Sequence, residues 1–139
     1  MPRAYLAALA LAVSGSCLAQ ANVGEVMKQG GTRMTKEELQ QLHAGGVNMK
    51  GTLNNGTPYS QVNKADGTVG GVGGNNNQFT LSGTWKIDDT GKYCHDIASS
   101  GGIRANTCNF VFKAGGKYFV TTTPTDTPET AVRERQFVK

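Results

Sequence analysis

The sequence predicts a mainly β protein. It is an antiparallel up-and-down meander of about eight strands, closing to a small partly closed barrel, with one short N-terminal helix. Three observations carry this. Beyond residue 47 the apolar period is two rather than three to four, turn signals recur every 8–12 residues, and the connections between candidate strands are short. Eight short strands in a row expose two unpaired edges unless the sheet curls, and short connections favour a meander over a Greek key.

Composition narrows the classes. The chain has 139 residues, 19 of them Gly, and a formal net charge of +4. That suits one small domain. Charged residues are 17% of the chain, against roughly 25% in typical soluble proteins, so the signature of a disordered chain is missing. No apolar run reaches the roughly 18 residues of a spanning helix. No Lys/Arg block suggests a nucleic-acid arm, so no nucleic-acid partner is expected.

Residues 1–21 read as a secretory signal. Arg3 gives a positive start, residues 4–13 are apolar, and Ala19-Gln20-Ala21 forms a small-residue cleavage site. The expected cut follows Ala21, with a cut after Ala19 as the alternative. A periplasmic or secreted location follows. Cys17, preceded by Ser14-Gly15-Ser16, matches a lipoprotein anchor only in part, so a lipid-anchored envelope form is the weaker alternative.

Residues 22–33 show no clear period and read as a flexible leader, with a short helical turn around 23–28. A single β-barrel-like domain spans 34–139. Its helix, 35–44, opens with Thr35 and Glu38 as a capping box and with Met34 and Leu39 at hydrophobic-staple spacing. Leu39 and Leu42 share a face, and Gly45-Gly46 stops the helix. So short a helix is marginal alone and must dock.

The strands follow in order: 47–53, 59–63, a Gly-rich 68–74, 78–87, 92–98, 103–112, 117–122 and 131–138. The clearest places Phe79, Leu81, Trp85 and Ile87 on one face, with Gly83 among them, and Thr80, Ser82, Thr84 and Lys86 on the other. One side is therefore buried and the other wet. The glycines at 70, 71, 73, 74 and 83 suit sharp bends or close backbone approach. Pro124 and Pro128 make 123–130 a loop or broken edge.

Cysteine arithmetic points to one staple. Removal of 1–21 takes Cys17 and leaves Cys94 and Cys108, an even pair in an exported chain. The two are symmetric about Gly101 in Ser99-Ser100-Gly101-Gly102. A hairpin centred there pairs Cys94 with Cys108, Tyr93 with Asn109, His95 with Thr107 and Ile97 with Ala105. One conflict stays open. Phe110 and Phe112 share the Cys108 face, whereas Tyr93 and Ile97 lie opposite Cys94. Either a bulge shifts one strand or aromatic groups occupy both faces.

No catalytic constellation emerges. In Cys94-His95-Asp96, adjacent strand residues point to opposite faces, so thiol and imidazole do not meet. His43 ends a helix, where a cation is favoured by the dipole, and Asp88-Asp89-Thr90-Gly91 is a turn without the ligand count of a calcium loop. Neither metal nor other cofactor is expected, and no glycosidase-like carboxylate pair can be named. What remains is binding. Trp85, Tyr93, Phe110, Phe112, Tyr118 and Phe119 line either a ligand cavity or a plain core, and Tyr59 with the Asn75–Asn77 loop fits an exposed recognition edge.

The residues Gly83-Thr84-Trp85-Lys86-Ile87-Asp88, Gly91-Lys92-Tyr93-Cys94 and Cys108, with the Thr35 to Leu42 helix, Asp66-Gly67 and the Gly-Lys-Tyr of 116–118, carry a resemblance. The chain resembles small exported proteins of proteobacteria grouped as a domain of unknown function. These pair a Thr-x-x-Glu-Leu helix with a Gly-x-Trp strand and a Cys-bracketed hairpin. The resemblance spans most of 34–122. It implies export, fold and disulfide, and no reaction. The functional expectation is an exported non-enzymatic binding module for a small apolar ligand or a protein partner. The alternative from another class is a loop-inserting inhibitor of a secreted hydrolase. The identity of the partner and the oligomeric state are not encoded legibly.

Overall fold

A computed structural model describes residues 21–53 and 55–139. The expected signal, Ala21 apart, and Cys17 lie outside the described residues. The protein is mainly β: one antiparallel sheet curled into a half-barrel, with short helices near the N-terminus. In chain order the elements are α1 (Val23–Lys28), β1 (Thr32–Arg33), α2 (Lys36–His43), β2 (Val47–Thr52), β3 (Pro58–Asn63), β4 (Thr68–Gly73), β5 (Phe79–Ile87), β6 (Tyr93–Ser99), β7 (Arg104–Asn109), β8 (Val111–Ala114), β9 (Lys117–Thr121) and β10 (Val132–Val138). Across the sheet the order is β1-β8-β9-β10-β2-β3-β4-β5-β6-β7.

Among the described residues the expected eight strands become ten for two reasons. Thr32 and Arg33 pair with Lys113 and Phe112, adding a short edge strand. The expected strand 103–112 breaks at Phe110. Its first half pairs with β6 and its second half with β9. The chain itself, through one residue, thus links one end of the ladder to the other side of the sheet.

Period-two alternation decides which side chains face inward. Odd-numbered residues of β5, β6 and β7 line the concave face; even-numbered ones face out. Glycine lets strands crowd at one point of this curve. A Cβ on Gly83 would stand 1.9 Å from the Asp96 carbonyl oxygen on β6.

The two helices cover opposite faces. α2 lies over one end of the concave face. There Leu39, fully buried, packs with Met34, Met49, Tyr93 and Val111, and Trp85 and Tyr118 lie against the same cluster. The expected capping box is present: Thr35 Oγ1 accepts from Glu38 N, and Glu38 Oε2 from Thr35 N. Ion pairs of Lys113 with Glu38 and Lys36 with Asp89 tie the helix to the sheet.

The segment expected as a flexible leader, 22–33, is instead folded. Asn22 and Glu25 form a second capping box, and Val23 and Val26 are buried with Phe110, Phe112 and Val132 on the convex side. An apolar i, i+3 pair on a six-residue helix was too short a pattern to register as an amphipathic face. This contact also resolves the conflict over faces. The hairpin register carries no bulge; aromatic groups occupy both faces, with Tyr93 inward and Phe110 and Phe112 outward beneath α1.

Candidate functional site

The concave face is filled at one end and hollow at the other. Beyond the α2 plug lies an open cavity of about 440 Å³, within the usual range for small-molecule sites. Its two walls differ in chemistry. β5, β6 and β7, with the turn after β6, contribute Phe79, Leu81, Ile97, Ile103 and Ala105. The facing wall of β10, β2 and β3 contributes Arg133, Arg135, Met49 and Tyr59.

The floor is polar and internally satisfied. The Tyr93 hydroxyl accepts from Gln61 Nε2 at 3.2 Å and from Asn63 Nδ2 at 3.0 Å, and Gln61 Nε2 also donates to Asn63 Oδ1 at 2.9 Å. Burial pushes the Tyr93 phenol well above its ordinary range, so it stays neutral.

Both arginines are set into the wall by the backbone of β2 and of the residue that follows it. Arg133 Nη1 donates to the Leu53 carbonyl at 3.1 Å. Arg135 lies across Gly51, where a Cβ would stand 2.6 Å from Arg135 Cδ, and its guanidinium sits 5.5 Å from the centre of the Tyr59 ring. Neither forms an ion pair among the described residues, and no Asp or Glu lines the cavity.

The histidines divide between plug and cavity. His95 faces the cavity; its Nε2 lies 3.1 Å from Thr107 Oγ1, and its Nδ1 is buried without a partner. Burial, helped by Arg135, holds its imidazole below the usual range. His43 is buried under α2, stacked 4.7 Å from Trp85 and 5.3 Å from Tyr93. Its Nδ1 lies 2.9 Å from the Leu39 carbonyl, which fixes the proton there and leaves Nε2 unpartnered. Burial lowers its pKa.

Both depressed values give the same sign of linkage. Below about pH 6.5 the unfolded chain takes up protons that the folded chain refuses. Stability therefore rises with pH through that window and falls on acidification. We expect the melting temperature to drop between about pH 7 and about pH 5, before carboxylates titrate. In His43→Phe, which keeps a stacked ring, the drop shrinks to the residue left by His95. An unchanged drop in the variant would show that His43 does not resist protonation.

Cys94 and Cys108 face the convex side as direct cross-strand partners, with sulfurs at bonding distance, 2.07 Å, and Cα atoms 4.0 Å apart. The hairpin register matches the spacing argument at every pair it named. Asp88 stands beside these sulfurs. Its carboxylate is occupied by Thr90 N, Thr90 Oγ1 and Lys92 N at 2.8–3.0 Å, the local turn bonding expected of Asp there.

Of the six aromatic residues singled out for cavity or core, Tyr93 alone borders the cavity. Trp85 and Tyr118 belong to the plug, and Phe110, Phe112 and Phe119 to the cluster under α1. Tyr59, expected at an exposed edge, faces inward beneath Arg135, and the Asn75–Asn77 loop is not part of the cavity lining. Sequence reasoning missed Arg133 and Arg135. The signal was available: both fall in phase with Phe137, on the face that alternation assigns to the interior.

Among the described residues no helix is long and apolar enough to cross a membrane. No family model, curated protein or solved structure matches this chain.

Proposed function

We propose that this chain is an exported, non-enzymatic binding protein that takes a small, largely apolar ligand into the open end of the half-barrel. The observation that carries this reading is the cavity of about 440 Å³ left beyond the α2 plug. A side-chain-filled interior would leave no such volume. The chemistry around it supports binding rather than turnover. Both thiols among the described residues are spent on each other. His95 has Thr107 on one nitrogen and no carboxylate to orient the other.

Export rests on residues 1–21 and on the cysteine pair, which is compatible with an oxidising compartment. Ala21 bears on the processing site. Its carbonyl accepts from Val132 N at 3.0 Å, a bond kept by a cut after Ala19 and lost by one after Ala21. The intact mass of the exported protein tests processing, and a diacylglycerol adduct on Cys17 would replace the soluble form by the lipoprotein.

Ligand binding is tested with N-phenyl-1-naphthylamine, a neutral dye that fluoresces in apolar surroundings. The expected result is saturable enhancement by the purified protein. Ala105→Trp, which places an indole in the cavity, weakens it at least about tenfold, or roughly 1.4 kcal/mol. Equal dye binding by Ala105→Trp would move the ligand elsewhere; no saturable binding would remove the reading.

A further inference from the structure

The two cavity arginines go beyond a generic apolar site. Resting on the binding reading above, we propose that the cavity selects amphiphiles with a single carboxylate-like anionic head, held by Arg133 and Arg135, with the apolar body laid against β5 and β6.

The argument starts from uncommitted donors. A guanidinium offers five N–H groups in a planar fork and accepts nothing. Arg133 commits Nη1 to the Leu53 carbonyl. Its Nε is buried without a hydrogen-bond partner. Arg133 borders the cavity with Nη1 its one guanidinium nitrogen hydrogen-bonded to another described residue, and a guanidinium is the side chain best matched to a carboxylate. An anion in the cavity meets this charge without first displacing an acid paired with it, since Arg133 forms no ion pair among the described residues.

Arg135 adds a second positive charge on the same face of β10, two residues along. It is held in place from two sides, its stem on Gly51 and its head over Tyr59. Glycine at position 51 leaves room for it in this pose, since a Cβ there would make Arg135 shift. Its Nη1 donates to the neighbouring Glu134 carbonyl at 2.9 Å, and the Tyr59 hydroxyl lies within its reach, which leaves further N–H groups of the fork for a ligand. His95, neutral and with Nδ1 unpartnered, borders the same space. With no acid among the described lining residues, none of them neutralises the two charges. A cation is repelled, a neutral ligand leaves the donors unpaired, and an anion satisfies them.

The rest of the ligand is defined by the opposite wall. Phe79, Leu81, Ile97, Ile103 and Ala105 offer no side-chain hydrogen bonds, and only a few polar groups (His95, Ser99, Thr107) lie among them, so this wall suits a mainly apolar body over a multiply hydroxylated or doubly charged one. An unbranched or ring-bearing chain carrying one terminal acid fits both walls. The shared chemistry is that of free fatty acids and of other apolar carboxylic acids.

The test uses displacement of bound N-phenyl-1-naphthylamine by three ligands of one chain length: decanoate, 1-decanol and decyltrimethylammonium. In the wild-type protein at about pH 7, decanoate is expected to displace the dye at a concentration at least about tenfold below that of decanol. The ammonium ligand is expected to be weakest. In Arg133→Gln/Arg135→Gln the decanoate-to-decanol ratio falls to near one. Arg133→Lys, which keeps the charge and loses the fork, retains an intermediate ratio and guards against a folding defect in the double variant. Equal displacement by decanoate and decanol in the wild type would overturn the anionic head while leaving apolar binding standing. A preserved ratio in the double variant would overturn the role of these arginines. Absence of binding by dye and decanoate alike would remove both readings.

Discussion

Leu39→Ala is expected to lower the unfolding free energy by about 2–5 kcal/mol, the range for truncating a fully buried leucine. Leu39 has no exposed surface and is the one fully buried leucine of α2. The helix has eight residues, too few to persist in water on its own capping box and ion pairs. Its exposed bridges, such as Lys36 with Asp89, contribute little, because solvent screens them. Packing through Leu39 and His43 must therefore hold it over Met49, Tyr93 and Trp85. Urea denaturation of the variant measures the loss directly. A loss below about 1 kcal/mol would mean that the plug closes readily over the void. The partly exposed Leu42 serves as the internal comparison, and Leu42→Ala is expected to cost less.

What was legible in the sequence divides along physical lines. α2 was legible because its capping is local: Thr35, Glu38 and the Met34–Leu39 spacing need no knowledge of the rest of the chain. The β6–β7 hairpin was legible for the same reason, since a turn centre and an antiparallel register fix every pair. The break at Phe110 was not. Its residues continue an extended, apolar pattern, and only the change of partner from β6 to β9 divides them. α1 was half legible, because a six-residue helix earns its place from Phe110 and Phe112, residues far along the chain. The cavity was least legible. Alternation tells which face is inward but not whether the enclosed space is filled. That depends on where α2 docks and on how closely strands approach at Gly83. Arg133 and Arg135 illustrate the cost of reading charge as exposure: a strand of alternating Arg, Glu, Arg and Gln looks solvated until its phase is set by Phe137.

Replacing both cysteines, as Cys94→Ser/Cys108→Ser, is expected to cost about 3 kcal/mol of stability, from the loop-closure entropy restored to the unfolded chain. The cross-link spans a sequence separation of 14. The expected loss is a large share of the roughly 5–15 kcal/mol available to a small domain, and it corresponds to a melting temperature lower by roughly 10 °C. Its structural consequence is local. Among the described residues β7 ends the ladder with β6 as its one neighbour, so the staple clips an edge strand. Amide exchange should therefore accelerate most over Arg104–Asn109. The sulfurs lie on the convex side, away from the ligand-facing residues, whereas Ala105 and Thr107 of the same strand line the cavity. Below its melting temperature the serine variant should thus keep the ratio of decanoate to decanol displacement while losing stability. An equal melting temperature in oxidised wild type and serine variant would show that the link adds nothing to the hairpin's own pairing. A lost ratio with a retained fold would show that the edge strand, and not the arginine wall, sets the selectivity of the cavity.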